Sequence, residues 1–376
     1  MMVAVSSNAL DYITIQGFKS IASIDKLELR PINVVIGSNG PGKSNFIGAF
    51  DFLREVCDGK LRDYVTTSGG AEKILHFGSK TTKGIELYLS SRHIDGWPFG
   101  APGYKLVLSP TVDDGLFPAG ETTYLDGRAP AGLAPREQGR EAGISDPNAG
   151  GVAKWVRAYL LGLWLYHLND TSSSSPMRKT ARVDDNRFLK PDGSNLPAFL
   201  YLLKNRHQVE YDLIVRAVQR VAPFFNDFLL APTELNREYI KLEWRHKKSD
   251  QNFDASSLSD GTLRFIVLAT LFLQPGHYRP SVILVDEPEL GLHPYAIEML
   301  AALVRQASVH TQVIMSTQSS LLLDHFQPED VLIADRVDGG TILTRLESEQ
   351  LREWLEDYSL GQLWEKNEIG GRPVPG

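Results

Sequence analysis

Eight residues near the start of the chain restrict its fold more than any others. The stretch "GSNGPGKS" (37–44) holds three glycines, then Lys43 and Ser44. It follows the apolar run "INVVI" and precedes a segment in which Phe46, Phe50, Leu53 and Cys57 recur at helical spacing. A buried strand, a glycine-rich turn and an amphipathic helix, in that order, belong to an open α/β sheet with a ligand at the strand's carboxyl end. The spacing G-x-x-x-x-G-K-S is that of a phosphate-gripping loop. Glycines there let backbone N–H groups face a phosphate with no Cβ in the way, and the helix adds its positive dipole end. Lys43 would reach the β- and γ-phosphates of a nucleotide, and the Ser44 hydroxyl would coordinate Mg²⁺. Asn39, Gly40, Gly42 and Asn45 complete the candidate nucleotide-binding set.

Two further stretches suit the same ligand. "SVILVDEPELGLHP" (281–294) is an apolar strand that delivers Asp286 and Glu287 at its carboxyl end. Asp286 is the candidate second metal ligand, and Glu287 the candidate base for an attacking water. "TQVIMSTQSS" (311–320) is another apolar run ending in polar residues. It would set Gln318 beside Glu287, where a side-chain amide orients water or senses the γ-phosphate. Ser319 or Ser320 would serve equally as a helix N-cap. "SLSDGTLRF" (257–265) reads as a helix start in front of the apolar run "LRFIVLATLFL".

The bulk numbers narrow the remaining classes. A net charge of −7 gives no global basic field to draw in nucleic acid. The single cysteine, Cys57, rules out an intrachain disulfide and favours a reducing, cytoplasmic setting. "WVRAYLLGLWLYHL" (155–168) carries Arg157 and is too short to span a membrane, so it reads as a buried helix. Residues 12–40 read as two or three strands, with further strands near 84–90, 104–108 and 239–247. Helices are expected over 150–168 and 195–230. Residues 95–150, rich in Gly, Pro and Ala, read as loop. From 258 onward helices alternate with buried strands, the pattern of a parallel sheet flanked by helices. The nucleotide fold is expected to be discontinuous, 1–90 plus 255–376, with 91–254 as an inserted, largely helical second lobe. Arg178, Lys179 and Arg182 form a small basic cluster, read as a solvated loop or as a contact for nucleic acid or a partner. His293 suits a helix start or an opposing chain, and Trp155, Trp164 and Trp244 read as core.

The three motifs in order resemble an ABC-type ATPase head. The opening "ITIQGFKSIASIDKLELRPINVVIGSNGPGKSN" is similar to the amino-terminal pattern of RecF and the SMC proteins. "LSDGTLRFIVLATLFLQP" and "DEPELGLHPYAIEML" resemble bacterial RecF-like ATPases often grouped as AAA-type, which are related to the OLD-like ATPases. The tail "LEDYSLGQLWEKNEIGGRP" fits the same family without a known chemistry. The resemblance implies an α/β P-loop NTPase with a mixed sheet. It implies ATP and Mg²⁺ as cofactors, and a homodimer closed around ATP in which the signature of one chain caps the nucleotide of the other. Carried over, Ser259 and the N–H of Gly261 would meet a γ-phosphate in trans. Asp260 stands where that signature has a glycine, so it must point away or pair with a cation such as Arg264. Gln318 stands where transporters have a histidine, and no Q-loop glutamine is placed in 60–110. The resemblance implies a role in DNA repair or maintenance with DNA as partner, or alternatively ATP-gated regulation of an effector protein such as a nuclease in bacterial defence. The third rival, a transporter ATPase, is disfavoured by the amino-terminal pattern, so no membrane is implied.

Overall fold

The computed structural model describes residues 10–38, 40, 42–92, 101–125 and 131–371. In chain order the strands are β1 (Leu10–Phe18), β2 (Ile21–Glu28), β3 (Ile32–Ile36), β4 (Ile85–Ser91), β5 (Pro102–Pro110), β6 (Leu116–Leu125), β7 (Ala131–Gly132), β8 (Leu163–Tyr166), β9 (Ala181–Arg182), β10 (Phe225–Leu229), β11 (Tyr239–Ile240), β12 (Glu243–His246), β13 (Asn252–Asp254), β14 (Val282–Asp286), β15 (Gln312–Ser316), β16 (Val331–Val337) and β17 (Gly340–Arg345). The helices are α1 (Lys43–Cys57), α2 (Leu61–Thr67), α3 (Ala71–Ile74), α4 (Gly151–Leu160), α5 (Leu196–Arg206), α6 (Gln208–Val221), α7 (Asp260–Leu273), α8 (Pro294–Ser308), α9 (Ser320–Leu323), α10 (Ser348–Leu351) and α11 (Leu360–Glu365).

A six-stranded sheet in the order β17-β16-β3-β15-β14-β8 carries the nucleotide motifs. Its pairings are parallel except for the β16–β17 hairpin, so the sheet is mixed. Each central strand is apolar on both faces, as a strand covered on both sides must be. Val34 and Ile36, Ile283 and Val285, and Val313 and Met315 join a core with the residues of α5 to α8. The alternate residues Val35, Val282, Leu284 and Ile314 join a second core with α1 and the antiparallel sheet β2-β1-β4-β5-β6-β7. The strand period of two therefore divides one short apolar run between two cores. Helix α7 is buried along nearly its whole length, from Leu263 to Leu273. That explains why its sequence has no polar stripe.

Several expectations are corrected by this arrangement. The run 155–168 is not one helix. Helix α4 ends at Leu160, and Leu163–Tyr166 becomes edge strand β8, paired in parallel with Val282–Val285. Gly162 separates the two, and a short apolar run can serve either structure until a neighbouring strand claims it. Likewise 195–230 is two helices followed by strand β10. The loop expected over 95–150 contains the ten-residue strand β6, paired along β5. Residues from 91–254 thus supply β5 and β6 to the antiparallel sheet and β8 to the parallel one. Trp244 is buried as expected, whereas Trp155 is exposed.

Candidate nucleotide site

The phosphate loop bridges β3 and α1. Gly42 is the N-cap residue of α1 with φ 105°, in the left-handed region, and a side chain there would overlap Thr341 Oγ1. Lys43 Nζ donates to the carbonyl oxygens of Gly37 at 2.7 Å and Ser38 at 2.8 Å. Burial lowers its pKa, and the neighbouring carboxylates of Glu287, Asp286 and Glu289 oppose that shift. Ser44 is exposed at the mouth of the loop, and Gly40 has open space where a Cβ would stand. Asn45 faces the β1–β2 turn, donating from Nδ2 to Ser20 Oγ at 2.7 Å. Asn39 lies outside the described residues.

The acidic strand end lies on the other side of β15. Asp286 and Ser316 are register partners on β14 and β15, and Ser316 Oγ donates to Asp286 Oδ1. Glu287 has φ 45°, a conformation costing about 1–2 kcal/mol for a residue with a Cβ. Its N–H donates to Ser316 O at 3.1 Å. Gln318 Nε2 donates to Glu287 Oε1, so the two residues expected side by side do meet.

Sequence reasoning missed a third acid, Glu289. It is 7% exposed, and its Oε1 accepts from Thr317 Oγ1 at 2.6 Å and from the Gln318 N–H at 3.0 Å. Burial pushes its carboxyl up, and Oε2 has no partner among the described residues. Glu289 therefore fixes the backbone that carries Gln318. An acid immediately before the apolar "LGL" was the available signal.

The "SLSDGT" turn is a helix start. Ser259 is the N-cap of α7, and its Oγ accepts from the Thr262 N–H at 3.2 Å. The N–H groups of Asp260 and Gly261 keep no intrahelical acceptor, as first-turn donors. A Cβ on Gly261 would overlap the Gly291 carbonyl oxygen, so glycine here permits close approach to the turn after Glu289. The cation paired with Asp260 is Arg178, not Arg264: Arg178 Nη2 lies 2.7 Å from Asp260 Oδ1. Arg264 instead donates from Nε to Leu168 O at 2.9 Å and from Nη2 to Asn169 O at 3.4 Å. Arg178 is also not a solvated loop residue. Its side chain is 9% exposed and also donates to the carbonyls of Thr171, Ala255 and Leu258. His293 caps α8, its Nδ1 accepting from Tyr295 N at 3.4 Å.

This is the fold of a P-loop ABC-type ATPase head, with a phosphate loop, an acidic strand end and a polar third strand end at the carboxyl ends of three adjacent strands of a mixed sheet. Residues 160–324 match the family model described as "AAA domain, putative AbiEii toxin, Type IV TA system". Among solved structures, an SMC head bound to the C-winged helix domain of ScpA superposes with a TM-score of 0.63 at 15% identity, covering 92% of this chain and 99% of that one. The Pyrococcus furiosus SMC head with an extended coiled coil, bound to the C-terminal domain of ScpA, gives 0.59 at 14% identity over 93% and 99%. The Thermotoga maritima SMC head domain gives 0.50 at 16% identity over 90% and 99%. No curated protein matches the chain in sequence. Among the described residues no helix is long and apolar enough to cross a membrane.

Proposed function

We propose that this chain binds and hydrolyses ATP with Mg²⁺, and that its ATP-bound form is a homodimer acting in DNA repair or maintenance. The observation that carries the catalytic part is the meeting of Gln318 and Glu287 at the strand ends that also bear Lys43 and Asp286. The donor set fits the cofactors: a buried ammonium on the loop carbonyls, an exposed hydroxyl and a carboxylate two strands away, across β15. Ser44 and Asp286 would hold the metal, which when bound neutralises phosphate charge. Lys43 would leave the Gly37 and Ser38 carbonyls for the phosphates. Glu287 would accept a proton from water oriented by the Gln318 side-chain amide, and Glu289 would hold the Gln318 backbone in place. Exposed Ser259 and half-buried Gly261, whose N–H has no intrahelical acceptor, form an anion-attracting helix start suited to the nucleotide of a second copy.

The test is mass in solution with Mg-ATP. Glu287→Gln should trap a dimer, and Ser259→Arg should bind ATP yet remain monomeric. A Glu287→Gln protein that stays monomeric with ATP bound would refute the dimer. Ser259→Arg hydrolysing ATP at the wild-type rate would refute the role in trans. A DNA output requires DNA binding that depends on ATP and weakens steeply with salt.

A second reading is favoured by the toxin–antitoxin wording of the family matched by 160–324. In it the ATP-bound head regulates an effector protein such as a nuclease. It requires a stable hetero-complex from the native cell and weak DNA affinity.

A further inference from the structure

The tail, to which the motifs assign no chemistry, returns to the phosphate loop. Helix α11 packs on α9, the short helix just after Gln318. The Gly361 N–H donates to Asp324 Oδ1 at 2.7 Å, and Ser320 Oγ donates to Glu365 Oε1 at 2.5 Å. The chain then turns through Gly370 and Gly371, with φ 82° and 78°. Gly371 O accepts from the Ser38 N–H at 2.6 Å, and Gly371 N donates to Asp335 Oδ1 at 2.9 Å. A Cβ on Gly371 would lie 3.1 Å from Ile333 Cγ2, 3.3 Å from Trp364 Nε1 and 3.4 Å from Gly37 Cα. Both the left-handed backbone and this close fit require glycine.

Which side of the loop the tail touches follows from peptide geometry. In a planar trans peptide the carbonyl and the next N–H point in opposite directions. The Gly37 carbonyl faces the Lys43 ammonium, so the Ser38 N–H faces away from it, toward Gly371. The tail therefore does not compete with a ligand that Lys43 would hold. It supports the loop from behind.

We propose that Leu360–Gly371 is a positioning strap of the nucleotide site, holding the start of the phosphate loop and the α9 end of the Gln318 segment in one fixed relation. Docking of the strap preorganises the loop for a nucleoside triphosphate, and its release weakens binding. This rests on the nucleotide-binding reading above.

The test uses the full chain and Mg-ATP titrated by calorimetry, with nucleotide-free melting measured in parallel so that each variant is titrated where it is fully folded. Gly371→Ala and Asp335→Ala should each weaken Mg-ATP about threefold to tenfold, the scale of one net hydrogen bond. Asp335→Asn keeps an acceptor for Gly371 N and should stay within about twofold of wild type. Unchanged affinity in both Gly371→Ala and Asp335→Ala would overturn the strap while leaving nucleotide binding intact. A loss shared equally by Asp335→Asn and Asp335→Ala would also overturn it, because the accepted hydrogen bond would then be irrelevant. A wild-type chain that takes up no Mg-ATP would remove the nucleotide reading and the strap with it.

Discussion

Replacing Arg178 by alanine should unfasten the "SLSDGT" turn without touching the phosphate loop. The guanidinium donates to the Thr171, Ala255 and Leu258 carbonyls and to Asp260. The Asp260 side chain is 61% exposed, so that ion pair contributes at most about 1 kcal/mol. The carbonyls receive charge-assisted bonds from a nearly buried cation, each worth about 1.5–3 kcal/mol and not additive. Arg178→Ala should therefore cost about 2–4 kcal/mol, and Asp260→Asn less than about 1 kcal/mol. Urea unfolding gives both values, with amide exchange across 255–262 locating the loss. In the dimer reading, Arg178→Ala also lowers ATP-driven dimerisation while one chain's ATP affinity is unchanged. An Asp260→Asn cost as large as that of Arg178→Ala would place the energy in the ion pair and not in the carbonyl clamp. An Arg178→Ala protein unfolding within about 0.5 kcal/mol of wild type, the range of an uninvolved surface residue, would equally refute the clamp.

Three other outcomes follow from the same geometry. Gly261→Ala must force α7 away from the Gly291 carbonyl and should destabilise the fold by about 1–3 kcal/mol in thermal or urea denaturation. Lys43→Ala removes the ammonium that would meet the phosphates, and calorimetry should show Mg-ATP affinity reduced by at least about tenfold, the lower end for a charge-assisted bond. Burial pushes the Cys57 thiol from 9.0 up to about 12. The folded protein favours the protonated thiol, so stability from this group is full below pH 9 and declines as pH rises toward 12. At pH 8 the native thiol should resist alkylation and react only on unfolding, as mass spectrometry would register.

The phosphate loop, the acidic strand end and the polar end of β15 were legible because each is local, and the pairing of Gln318 with Glu287, 31 residues apart, followed from two such runs lying side by side in one sheet. A run of four or five apolar residues ending in a particular polar residue states both a buried strand and what that strand delivers. The same locality made the helix start in 257–265 readable. Its limit shows at 155–168, where the apolar residues suit a helix or a strand. Only the free edge of β14 decided that Leu163–Tyr166 is a strand. The partner of Asp260 could not be read from spacing either, because Arg178 is 82 residues away in sequence, whereas Arg264, four residues on, is the cation that local spacing offers. Glu289 is the third acid of "DEPE", and only its burial against Thr317 and Gln318 gives it a task. The strap is the clearest case, since Gly371 reaches Ser38 across almost the whole chain. The sequence by itself determined which residues end the strands and open the helices, because backbone geometry and side-chain chemistry act over a few residues. The tertiary structure decided which distant carbonyls and carboxylates those residues meet, because packing brings together groups whose separation along the chain carries no periodic signal.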